Sequence, residues 1–289
     1  KLGLATALLL AMTGAQAYQV EVQGQSEYID TTANDKDFTG GLQGTYYLKD
    51  VDSSKGPLAE AAFLNQASNV SVAYTYGEDG QEFSDRTVHH TFGVKGEAYI
   101  PTQVVPTYAS VSYSHTIADN KAGNPDGNGD RYALELGAFA APNFLVAVGY
   151  TSVADQTALD AFNILSNGVV KAGLESDTIA DDQDAITART KYVGAIDGTN
   201  MSIGFESGLV YGEDTAYNLG TTLFVTPKLS VGASYMESSF ADTPDSAWGA
   251  NVNYFITPAV AVGASYVNAN AEQLALDTQT VGVNAKFRF

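Results

Sequence analysis

The chain has no cysteine, three histidines and one tryptophan in 289 residues. Without Cys there is no disulfide scaffold, no thiolate nucleophile and no zinc site built on sulfur. His89, His90 and His115 are the only imidazoles, and there is no Gly-x-Ser-x-Gly elbow. His115 shares parity with Val111 and Tyr113 and so falls on an apolar face. The chain reads as a non-enzyme with no cofactor and no metal requirement. Positive charge is also scarce, with 14 Lys+Arg against 33 Asp+Glu and a net charge of −19. That balance excludes a nucleic-acid binder, which needs a basic face to neutralise phosphates. Long apolar runs are missing as well. A spanning helix needs about 20 apolar residues, and the one extended uncharged apolar stretch, Leu2 to Met12, is too short.

That stretch has another reading. Lys1 precedes it and Thr13-Gly14-Ala15-Gln16-Ala17 follows, giving a basic start, a short apolar core and an Ala-x-Ala site. Residues 1–17 are expected to be a secretory signal peptide and 18–289 the mature chain.

What is abundant is Gly (28), Tyr (17) and Phe (13), with apolar residues at 45%. They are arranged with period two. Over residues 38–49, Phe38, Gly40, Leu42, Gly44, Tyr46 and Leu48 alternate with Thr39, Gly41, Gln43, Thr45, Tyr47 and Lys49. A strand sends successive side chains to opposite faces, so one face is apolar and the other polar. The pattern predicts strands near 18–29, 38–49, 68–76, 87–100, 107–117, 131–140, 144–152, 186–196, 201–211, 215–225, 229–236, 246–256, 259–267 and 278–289. The count is about 14, with 12 to 16 allowed because the 50–67 connector is long enough to hide extra pairing.

The connectors alternate too. One set is short and carries six of the eight prolines (57, 101, 106, 142, 227 and 258), and the other is mostly longer and polar. Tight periplasmic turns with long outer loops are the organisation of outer-membrane barrels. Two tallies agree. Each ascending strand reaches its top with Tyr on the apolar face: Tyr28, Tyr76, Tyr113, Tyr150, Tyr211, Tyr235 and Tyr266. Tyr has an apolar ring and a polar tip, which suits a membrane–water boundary. The seven long-side loops also hold 24 of the 33 acids and only four bases, a net charge of −20 at one end. At the C-terminus Val281, Val283, Ala285, Phe287 and Phe289 share one face. Phe289 resembles the terminal aromatic that Gram-negative outer-membrane proteins present to their insertion machinery.

The fold expected is therefore all-β, a transmembrane antiparallel up-and-down barrel. The run Lys55-Gly56-Pro57-Leu58-Ala59-Glu60-Ala61-Ala62-Phe63-Leu64 resembles a segment of the "putative general porin" family of Gram-negative bacteria. The resemblance implies a pore and an outer-membrane address. By its place between a descending and an ascending strand, the run reads as a periplasmic turn with a short apolar lead-in. With the first strand starting right after the expected cleavage site, no plug domain is expected ahead of it.

A barrel pairs every backbone group between strands, as hydrocarbon demands, and around 14 strands should leave a narrow aqueous lumen. The inward parity is polar: Glu21, Gln23, Gln43, Thr45, His89, Asn251, Asn253, Asn284, Lys286 and Arg288 belong to it. Lys95, Glu97, Arg131, Glu135, Arg189, Lys191 and Glu206 are the candidate pore-lining charges that set its field. The acidic loops add an expectation of mild cation preference, since charge at a mouth concentrates counter-ions. Loop 153–185 has Leu159, Phe162, Leu165 and Val169 at helical spacing, and could fold inward as a constriction or cap the surface. Asn124, Asp126 and Asn128 with Glu135 form a weak calcium-loop match, better explained by an Asp/Asn/Gly-rich loop between strands.

The function expected is passive diffusion of ions and small hydrophilic solutes. The alternative is a structural or adhesive barrel acting through its acidic loops. Expected partners are outer-membrane lipid, lipopolysaccharide and the barrel-insertion machinery, with either a monomer or a trimer allowed.

Overall fold

The structure, a computed structural model, describes residues 17–31, 37–79, 87–120, 126–154, 159–164, 183–239, 244–271 and 276–289. Residues 1–16, Asn124 and most of loop 153–185 lie outside the described residues.

The strands are β1 (Ala17–Thr31), β2 (Asp37–Asp52), β3 (Asn69–Asp79), β4 (Thr87–Ile100), β5 (Thr107–Asn120), β6 (Gly127–Ala141), β7 (Phe144–Ala154), β8 (Gln183–Ala195), β9 (Ser202–Tyr211), β10 (Thr215–Thr226), β11 (Leu229–Ser238), β12 (Ser246–Thr257), β13 (Val260–Ala271) and β14 (Leu276–Arg288). They form one closed antiparallel barrel, each strand paired with its sequence neighbours and β1 with β14. The seam is in register from Glu21↔Arg288 to Thr31↔Thr278. It is finished by the Phe289 carbonyl, which accepts from Gln19 N (2.8 Å) and Val20 N (3.1 Å). Among the described residues no edge strand remains, so no row of their peptide groups faces hydrocarbon.

All 14 expected strands are present, and the pleat sorts them as the alternation requires. Leu42, Val72, Val94, Val111, Leu134, Val148, Ile186 and Val283 stand exposed on the outer face. A continuous apolar surface of that extent suits a bilayer and would be a liability in water. The inner face carries Glu21, Thr45, Ser71, Thr75, Thr91, Ser114, Thr116 and Arg131, all buried within the barrel.

The tight turns follow from their sequences. In Phe224-Val225-Thr226-Pro227, the proline ends the ladder because it has no N–H to give. The Thr226 Oγ1 then accepts from Lys228 N (3.2 Å) and Leu229 N (3.1 Å). Register shifts fall at Phe139/Ala141, Phe224/Thr226 and Phe255/Thr257. Each lies beside an inward phenylalanine, Phe139, Phe224 or Phe255, all nearly fully buried.

The β2–β3 connector departs from the expected turn. Its residues form a 3-10 turn (Leu58–Glu60) and a one-turn helix (Ala61–Leu64). This segment does not hang below the barrel but packs into its periplasmic end. A run of Leu, Ala and Phe has no favourable place in the aqueous periplasm, whereas the lumen floor supplies an apolar seat. A second segment enters from the extracellular side. Ala161–Ile164 of the long β7–β8 loop is helical, and Ala161 is fully buried against Ala73 with Phe162 beside it. Gly93 on β4 permits this approach, since a Cβ there would stand 2.7 Å from Ala161 Cβ.

Candidate functional site

The lumen is a polar chamber between these two inward segments. Its floor is the β2–β3 segment, held by three apolar seats. Phe63 packs with Tyr108, Phe139, Leu145 and Phe224, with the Phe63 and Phe139 ring centres 5.8 Å apart. Leu58 packs on Phe255 and Ala261. Ala61 and Ala67 pack on Tyr18, Tyr47 and Val51. Polar ties surround the seats. Arg288 donates from Nη1 to the Leu58 carbonyl (2.8 Å) and from Nε to Glu21 Oε2 (2.7 Å). Its guanidinium stands over the rings of Tyr18 (4.5 Å) and Phe255 (4.6 Å). Lys191 Nζ reaches Glu60 Oε2 (2.9 Å) and Glu206 Oε1 (2.8 Å) and lies 5.1 Å from the centre of Phe63. Leu58 N donates to the Pro227 carbonyl (2.8 Å) and Gln66 Nε2 to the Pro142 carbonyl (3.3 Å). These ties reach β1, β2, β5 to β8, β10 and β12 to β14, most of the barrel's circumference. The expected open lumen is thus stoppered at its periplasmic end by a segment inside the chain.

The roof is the extracellular segment. Arg131 Nη1 donates to Asp160 Oδ2 (2.7 Å), Leu159 N to Thr116 Oγ1 (3.0 Å) and Ala161 N to Ser114 Oγ (3.3 Å). The sequence left this loop open between inward constriction and surface cap. Its described residues, 159–164, fold inward. Between roof and floor is a cavity of about 400 Å³ whose lining includes Lys95, Glu97, Arg131, Glu135, Arg189 and Glu206. Ser71, Ser110, Ser112, Thr187, Thr190 and Asn218 supply uncharged donors and acceptors between them.

Six of the seven candidate lining charges come together here, the seventh, Lys191, being a tie of the floor, and each of the seven is paired. Lys95 Nζ meets Glu97 Oε1 at 3.0 Å, and Arg189 Nη2 meets Glu135 Oε1 at 2.8 Å. Glu97 also accepts from Tyr108 OH (2.6 Å) and Asn69 Nδ2 (3.0 Å). Glu21, Lys286 and Arg288 form a separate cluster at the seam, with Lys286 Nζ 3.0 Å from Glu21 Oε1. Two acids escaped the sequence reading. Glu60 was assigned to a turn and Asp160 to a loop, yet both reach the lumen as partners of Lys191 and Arg131. The inward phenylalanines, each three residues ahead of a turn proline, were the available signal for the floor, since a purely aqueous lumen has no use for them.

All seven tyrosines lie on the outer face. Tyr28, Tyr150, Tyr211 and Tyr235 are well exposed, while Tyr76, Tyr113 and Tyr266 are half-buried by neighbours. Descending strands add Phe38, Tyr132 and Trp248, paired across strands as Phe38–Tyr76, Tyr113–Tyr132 and Trp248–Tyr266 at 6.5, 5.0 and 5.3 Å. Tyr113 OH and His115 Nδ1 both meet Asp130 Oδ1, at 2.6 and 2.9 Å, on that same outer face. Of the calcium match, Asp126 Oδ1 accepts from Asn120 N (3.1 Å), and Glu135 is engaged by Arg189.

A closed barrel with an apolar exterior, an aromatic-rich boundary and a polar chamber inside defines an outer-membrane channel protein. The chain belongs to the family described as "Putative general bacterial porin", whose sequence profile matches residues 2–289. The crystal structure of the Acinetobacter baumannii outer membrane protein Omp33 is similar at 55% identity and TM-score 0.71, over 95% of this chain and 99% of that one. The CymD monoaromatic hydrocarbon channel (9% identity, TM-score 0.56, 99% and 92% covered) and the Ralstonia pickettii toluene transporter TbuX (8%, 0.55, 97% and 93%) share the barrel fold. No curated protein matches the chain.

Proposed function

We propose that the protein passes ions and small hydrophilic solutes passively across the outer membrane when the β2–β3 segment leaves its seat. The observation that carries this reading is the chamber lining. Paired charges, hydroxyls and carboxamides can replace the hydration of a polar solute, while a hydrocarbon would leave those groups unpaired. That argues against the hydrocarbon cargo named for CymD and TbuX. The lining charges cancel in pairs except where Lys191 serves both Glu60 and Glu206, so selectivity in this reading comes mainly from the acid excess of the outer loops, which favours cations at low salt and fades as screening shortens to about 10 Å at 0.1 M. The mature chain in this reading starts at Tyr18, and no catalytic step is involved.

The seated floor favours one alternative, a silent structural or adhesive barrel. Single-channel recording of the refolded mature chain in a potassium chloride gradient separates them. Stepwise ohmic openings with a cation-directed reversal potential support the channel. Silence from inserted, heat-modifiable protein, including a variant with a loosened floor, supports the silent barrel.

A further inference from the structure

The chamber carries one more negative charge than positive, and its charge is not uniform. At its upper end Arg131 is 93% buried (7% exposed). It spends Nη1 on Asp160, while its Nε–H has no hydrogen-bond partner among the described residues. A buried guanidinium N–H left unbonded is costly, and this one belongs to a residue lining the chamber. The Nε is itself closed off, so an anionic or carbonyl oxygen reaches this donor when the guanidinium turns away from Asp160. At the lower end one ammonium serves two carboxylates, since Lys191 holds both Glu60 and Glu206. That group carries one negative charge more than positive, and Glu206 is the most exposed member, its side chain 38% accessible. Arg131 and Glu206 line the same cavity. One end therefore offers a donor to a carboxylate and the other an acceptor surplus to an ammonium.

We propose that the chamber recognises small zwitterions of the amino-acid class, with Arg131 as the specificity-determining carboxylate contact and the Glu60–Lys191–Glu206 group as the ammonium contact further along the path. This rests on the channel reading above and deepens it. A net anion gains at Arg131 and is repelled below, and a net cation meets the reverse. A neutral amide makes the hydrogen bonds without the charge, whose presence roughly doubles a bond's strength. About 400 Å³ holds an amino acid with some of its water. Asp160 competes with the solute for the guanidinium, so the roof segment also sets how available Arg131 is.

The test is the swelling rate of proteoliposomes carrying the full mature chain in L-alanine, and in the similarly sized neutral lactamide and anionic lactate. Potassium chloride conductance is recorded on the same preparation. The expected result is alanine entering about threefold to tenfold faster than either comparator, the range that a charge-assisted hydrogen bond's advantage over a neutral one supports. Asp160→Asn, which releases Arg131, should raise the alanine rate relative to lactamide. The double variant Arg131→Gln/Asp160→Asn avoids a stranded buried carboxylate. It should bring the alanine-to-lactamide ratio to about one. A purely structural role for the pair would move both solutes together and overturn the proposal. So would equal alanine and lactamide rates in a conducting parent, with the channel reading left standing. Absence of both conductance and swelling in parent and variants would overturn the channel reading and this proposal with it.

Discussion

Truncating Phe63 should unseat the floor. The side chain is 6% exposed, with its ring 5.8 Å from Phe139 and 5.1 Å from the Lys191 ammonium. Replacing a buried phenylalanine by alanine costs about 3–5 kcal/mol in well-packed surroundings. In the displaced state the ring would face water, so the loss falls on the seated state alone. At about 1.4 kcal/mol per factor of ten, 3 kcal/mol lowers the seated-to-displaced ratio by about two orders of magnitude. The strands hold their ladder without Phe63, so the barrel itself should survive the change. The assay is open probability in planar bilayers at fixed voltage, with heat-modifiable migration confirming the barrel. Phe92→Ala is the control, because Phe92 stands 51% exposed on the outer face. Phe63→Ala should raise open probability strongly without altering the unit conductance of the upper chamber, and Phe92→Ala should leave gating as it was. Equal open probabilities for the two variants would refute the argument that this packing closes the pore.

Three further outcomes are expected. Glu21→Gln removes the carboxylate shared by Lys286 and Arg288, leaving two clustered cations under-compensated at the seam. It should destabilise the barrel by about 3–5 kcal/mol, read as a lower urea midpoint of the heat-modifiable form. Arg189→Gln with Lys191→Gln strips two cations from the chamber wall while Glu135, Glu60 and Glu206 remain; the reversal potential in a salt gradient should move toward cations, and an unchanged value would show that these groups do not set the field. Gly263→Ala places a methyl 2.1 Å from Asn253 Oδ1, 2.6 Å from Asn284 Nδ2 and 2.8 Å from the Val252 carbonyl. It should cost about 1–3 kcal/mol as overpacking, and the same urea titration would show no loss if both carboxamides can swing aside.

The barrel was legible because its signals are local. Period-two alternation, Thr-Pro turns and tyrosines on one parity are each read within a dozen residues, and the closed ladder enforces them. Strand ends were less so, as with β6, which begins at Gly127 and not near 131, because pairing continues past the apolar band into polar sequence. The lining charges could be named by parity, but their partners could not. Lys191 and Glu60 lie on separate elements, and only folding the β2–β3 segment inward joins them. The same holds for Arg131 and Asp160. The run from Leu58 to Leu64 looked like a turn because flanking strands were the only context. Its apolar character made sense once Phe139, Phe224 and Phe255, more than 75 residues away, were seen facing it.

The anchor of the floor also fixes an order of events. Arg288, which grips the Leu58 carbonyl and Glu21, is the final residue of the last strand, and Glu21 belongs to the first. Its geometry exists only after β14 has zipped onto β1. Until that seam forms, Leu58 lacks its Arg288 clasp. That clasp is therefore set by the same step that completes the cylinder. A chain arrested short of that step would be leaky as well as unfinished, so ion leakage during assembly reports how many molecules have yet to close.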